Sequence, residues 1–213
     1  MFTEIRDGIK LPEKMRAMLV SSFIFLALYG AVLGSTHSLW QALSSAGKLP
    51  VLFLATLIVC SPTLYFFNVL FGSSQSLTQN VALILTAITV TAVLLLSFAP
   101  ITLFFLLTTS GYQFFKLLNV GIFALSGWMG VLFLSQGMRI VSAAGKEGAS
   151  SRANVVRLWI LLYGFVGSQM AWILRPFIGA PSMKFELFRQ LGGNFYSNVL
   201  LSLGEMFGLF LVR

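Results

Sequence analysis

Glu205 is the residue of this sequence best placed to do chemistry, because it stands about ten residues into an apolar run from Tyr196 to Val212. An ionised carboxylate near the centre of a bilayer costs about 3 kcal/mol even on the mildest insertion scale, so such an acid is protonated, paired or turned toward a polar cavity. Two roles fit. One is a proton or cation site, or a contact with a basic partner; the other is a structural hydrogen bond to a neighbouring helix. Arg175, at the outer end of the preceding apolar run, is the candidate counter-ion. At about 1.5 Å per residue the acid would lie roughly half a bilayer below it, and the long arginine stem suits snorkelling to headgroups better than a buried ion pair.

The other candidate positions serve packing and backbone shape. Gly204 and Gly208 bracket Glu205, and Gly30 and Gly34 repeat the spacing in an earlier run. Glycines four apart clear one helix face and let a second backbone approach, within the chain or between chains. Pro62, between Ser61 and Thr63, removes a main-chain donor and kinks its helix, leaving nearby carbonyls for a neighbour or water. Asn68, Asn119, Gln136, Ser168, Gln169 and Asn198 are single polar groups within or beside apolar runs, suited to bonds across helices or to the lining of a pore.

Enzymatic chemistry finds little to use. One histidine, His37, and one cysteine, Cys60, allow neither a histidine-based metal site nor an intrachain disulfide. No nucleophile with a base, metal-ligand cluster or phosphate loop is present in the sequence. The expectation is a protein without catalytic residues, metal or cofactor.

The elements that would position these residues are transmembrane helices. Charged residues make up 9% of the chain and mean hydropathy is +0.90, against about a quarter charged in a soluble domain. A crossing takes about 20 apolar residues. The runs at 16–35, 49–72, 81–109, 117–138, 158–174 and 196–212 predict an all-α, polytopic transmembrane bundle of about six spans in one domain, residues 1–213. Residues 1–16 form a charged entry with Pro12 suited to a first helical turn, and a polar turn carries His37, Trp40 and Lys48. Pro100 is expected to divide the third run into a crossing and a shorter piece that tilts or dips back. Residues 139–157 read as a cytosolic linker. In the outer loop 177–195, Met183, Leu187 and Leu191 recur every four residues and predict a short interfacial helix over 182–191.

The basic residues orient the chain. Arg6, Lys10, Lys14, Arg16, Arg139, Lys146, Arg152, Arg157 and Arg213 outnumber Lys48, Lys116, Arg175, Lys184 and Arg189, which places both termini in the cytosol. The net charge of +8 is accounted for by this flanking pattern and by anionic headgroups, so the bilayer, and no nucleic acid, is the expected partner.

The stretch WILRPFIGAPSMKFELFR, residues 172–189, resembles a signature of uncharacterised bacterial inner-membrane proteins, and LPVLFLATLIVCSPTLYFFNVLFG and SFAPITLFF are similar to segments of the same group. The resemblance implies a multi-pass protein of the bacterial cytoplasmic membrane, loosely like Yip-type membrane domains, and implies no activity. The expected function is a non-enzymatic subunit, a scaffold or assembly partner that binds another membrane protein or its own copies. The alternative is a small oligomeric transporter or channel with Glu205 and the kinked second span along its path.

Overall fold

The structure is a computed structural model, and it describes residues 1–70, 75–109, 111–141, 149–179, 185–188 and 193–206. Its elements are α1 (Phe2–Arg6), α2 (Leu11–Gly34), α3 (Leu39–Leu70), α4 (Leu77–Thr108), α5 (Tyr112–Val141), α6 (Ala149–Ile173) and α7 (Phe195–Met206). Among the described residues, four helices are long and apolar enough to cross a membrane: α2, α3 over Leu39–Phe67, α4 and α5. The chain is thus an all-helical protein with four candidate spans, where about six were expected. The last two expected runs fall on α6 and α7, and α7 is followed by residues 207–213, outside the described part.

Helix α4 lies between α2 and α5, and α3 packs along α2 and α6. Contacts fix the directions. Ser22 meets Thr89 at 2.9 Å and Tyr29 meets Thr102 at 3.3 Å, so α2 and α4 run parallel. The α2–α3, α4–α5 and α6–α7 connections therefore share one end of the bundle. Leu26, Tyr29, Leu33, Leu64, Leu83, Leu95 and Ile122 are among the buried core, whereas Phe23, Leu28, Ile58, Leu107 and Trp128 are exposed on the outer helix faces. Such a rim of large apolar side chains suits hydrocarbon rather than water.

Several expected boundaries move. Helix α3 starts ten residues before the predicted 49 and absorbs Trp40 and Lys48, which were expected in a polar turn. It continues through Pro50 and Pro62, and α4 continues through Pro100 as one helix, so no short piece returns into the membrane. The cause is general: in an apolar medium, ending a helix exposes several main-chain groups, whereas one proline removes a single donor. The linker expected at 139–157 contracts as well, because α5 reaches Val141 and α6 begins at Ala149.

Polar side chains start and seat the helices. Ser76 and Gln79 form a reciprocal capping box at the start of α4, and Gln79 Nε2 also donates to the Arg6 carbonyl at 2.8 Å. That bond holds α1, an unanticipated helix, against α4, while the Phe2 ring packs on Gly137 of α5. Asn194 caps α7 by accepting from the Ser197 amide at 2.8 Å.

Candidate functional site

Two polar clusters lie at the end where α2 passes to α3 and α4 to α5. The first grows from close packing of α2 on α3. A methyl group at Gly30 would collide with the Ser45 carbonyl, and one at Gly34 with the Gln41 carbonyl and Ala42 Cα. This GxxxG face is therefore filled by the chain's own α3. The approach fixes the first turns of α3, on which Gln41, Ser45 and Lys48 share a face by their spacing.

All three are buried, and all reach main-chain carbonyls of the segment after α6. Gln41 Nε2 donates to Pro176 O at 2.8 Å, Ser45 Oγ to Phe177 O at 2.7 Å, and Lys48 Nζ to Pro176 O at 3.3 Å and to Leu187 O. The Lys48 ammonium also lies 4.9 Å from the centre of the Phe188 ring. Gly179 closes the contact, because the His37 side chain occupies the space a Cβ would need. The segment is thus tied down through its backbone, which tolerates changes in its side chains.

This also corrects the interfacial helix expected over 182–191. Residues 185–188 form a bend rather than a helix, and the rest of that stretch lies outside the described residues. The Leu187 carbonyl that a helix would use internally is turned to Lys48.

The second cluster contains Glu205. Gln113, in the first turn of α5, donates its Nε2 to Glu205 Oε2, and Lys116 Nζ donates to Asn198 Oδ1 at 3.0 Å. Asn198, Ser202 and Glu205 recur at helical spacing, so α7 turns a polar stripe to α5 while Tyr196, Leu200 and Leu201 stay exposed. Glu205 is therefore at the α4–α5 turn end of the bundle rather than halfway along it, which corrects its expected depth. The reason is that α7 crosses the start of α5, with Asn198 beside Lys116 and Glu205 beside Gln113.

The structure does not bring Arg175 and Glu205 together as a pair. Arg175 stacks on Trp172, its guanidinium carbon 3.4 Å from the ring centre. Gly204 is buried, Pro62 is exposed on α3, the side chain of Asn68 is outside the described part, and Gly208 lies beyond it. Beside Pro62, the Cys60 carbonyl accepts a 3.0 Å bond from Trp159 Nε1 of α6.

Deeper in the bundle, Tyr29 donates to Asn119 Oδ1 at 2.8 Å and lies 3.3 Å from Thr102 Oγ1, and Asn119 Nδ2 donates to Phe115 O at 2.8 Å. This buried junction joins α2, α4 and α5. Tyr29 carried no signal in the sequence beyond an ordinary aromatic in an apolar run. Gln41 and Lys48 would have been legible as one stripe had α3 been drawn from Leu39.

Among the described residues, no three of His, Cys, Asp and Glu gather in a way that could hold a metal ion. No family model matches the chain, and comparison with curated proteins and with solved structures likewise finds no match.

Proposed function

We propose that the protein is a non-enzymatic integral membrane subunit, a scaffold or assembly partner, in a bacterial cytoplasmic membrane. One observation carries this reading: several buried polar side chains of the candidate spans join one helix or segment to another. Tyr29, Thr102 and Asn119 bond together, Ser22 bonds to Thr89, and Gln41, Ser45 and Lys48 hold the segment after α6. Groups engaged in this way fix a rigid shape. The exposed apolar rim then meets lipid and, over part of it, another membrane protein or a second copy.

In this reading α6 is a fifth span and the N-terminus is cytosolic, as the basic residues favour. The resemblance of residues 172–189 to uncharacterised inner-membrane proteins belongs to the same proposal.

A second reading, a small oligomeric transporter or channel, draws on the Glu205 cluster, where an acid and a lysine meet amides between two helices. Reconstituted flux separates the two. The subunit reading expects proton and monovalent cation flux in proteoliposomes to equal that of empty vesicles, and flux that Glu205→Gln abolishes while assembly persists would establish transport instead.

A further inference from the structure

The cluster between α5 and α7 holds a cation and an anion that do not meet. Lys116 is bonded by the Asn198 amide and Glu205 by the Gln113 amide, on positions one turn apart in α5 and two turns apart in α7. Two neutral side chains thus stand where a direct ion pair would form. The cluster is also short of donors: Gln113 Oε1 is buried without a hydrogen-bond partner among the described residues, while its Nε2 serves the carboxylate. An unmatched buried acceptor costs about 1–3 kcal/mol. Lys116 has the opposite surplus, with three N–H donors and one bond to Asn198.

We propose that this split pair is a binding site for a phosphoethanolamine group, carried by a zwitterionic lipid headgroup. A primary ammonium supplies N–H donors to the partly exposed Glu205 carboxylate, and the phosphate accepts from Lys116. Position favours the lipid as the source. The site is at the first turn of α5, at a bundle end where headgroups lie if α4 and α5 span the bilayer. Leu107 near the end of α4 and Tyr196 and Leu200 on α7 are exposed and suit acyl chains. A choline headgroup has a cation but no N–H to donate, and a glycerol headgroup donates hydroxyls but brings no cation, so neither gives Glu205 a charge-assisted hydrogen bond from an ammonium. This lipid site is independent of the assembly role proposed above.

Native mass spectrometry of the purified full chain tests it, with phosphatidylethanolamine, phosphatidylcholine and phosphatidylglycerol of identical acyl chains as probes. Wild type should retain phosphatidylethanolamine about tenfold better than the other two, the ratio expected from one charge-assisted hydrogen bond. Glu205→Gln and Lys116→Met should each reduce that preference to near unity while unfolding temperature stays within a few degrees. Equal retention of the three lipids by wild type, a measurement that needs no variant to fold, overturns the proposal. So does a preference that survives in both variants. Free phosphoethanolamine separates the sources: bound lipid that resists it supports a lipid site, and saturable binding of the free compound without lipid retention overturns one.

Discussion

Trp159 of α6 donates its indole N–H to the main-chain carbonyl of Cys60 at 3.0 Å, two residues before Pro62 of α3. Trp159 is itself buried, so its N–H needs this acceptor. Trp159→Phe keeps most of the ring and removes the donor. It should lower stability by about 1 kcal/mol, seen as a reduced unfolding temperature in detergent, whereas an unchanged temperature would show that the bond contributes nothing to holding α6 on α3.

The glycines of α2 make a steric prediction. Gly34→Ala places a methyl group against backbone atoms of Gln41 and Ala42, which cannot swing away as a side-chain tip could. The cost should be about 1–3 kcal/mol, the usual range for overpacking. Gly121→Ala on α5, where nothing lies within 4 Å, is the matched control and should be neutral. Comparable losses of folded protein in the two variants, measured by fluorescence-detected size exclusion, would contradict the assigned packing.

Lys48 should act as the clasp of the segment after α6. Lys48→Met keeps the length of the stem and removes the bonds to the Pro176 and Leu187 carbonyls. A cysteine placed at Leu187 should then react with an impermeant maleimide several-fold faster than in the Lys48 background, in line with a lost charged hydrogen bond of about 2 kcal/mol. Equal rates would mean that Gln41 and Ser45 hold the segment without it.

The positions of these contacts explain what could be read in advance. Long apolar runs announce helices in a bilayer, so the membrane class and the cores of α2 to α5 were legible from composition. Lys48 reads as part of a polar turn before the second run because charge usually punctuates apolar helices, yet here the charge is satisfied by carbonyls 128 and 139 residues away in the chain. Pro100 misled because helix continuity in an apolar medium outweighs one missing donor. Glu205 was visible as an unusual residue, but its depth depended on how α7 crosses α5, which no local pattern encodes. Tyr29 became a junction only when Thr102 and Asn119 came beside it.

At the opposite end of the molecule, Lys14 Nζ lies 2.8 Å from a Glu4 carboxylate oxygen and holds that exposed carboxyl below its ordinary range. A depressed carboxylate contributes stability above its unfolded-state pKa, and the contribution disappears as pH falls through the folded-state value. The effect is small because the pair is exposed. Acidification from neutral pH through the carboxylate range should speed hydrogen exchange in α1 relative to α4, and Glu4→Gln should flatten that dependence. An identical pH response in wild type and Glu4→Gln would remove Glu4 as its source.

Extraction of the native protein into lipid nanodiscs, followed by intact-complex mass spectrometry, tests the proposed role most directly. Several buried polar groups join helices, and the exposed apolar rim is the surface open to assembly. A stable partner in fixed stoichiometry should therefore co-purify, either another membrane protein or a defined number of copies inactive in flux assays. A lone monomer, or a homo-oligomer that conducts protons or cations, would contradict the account.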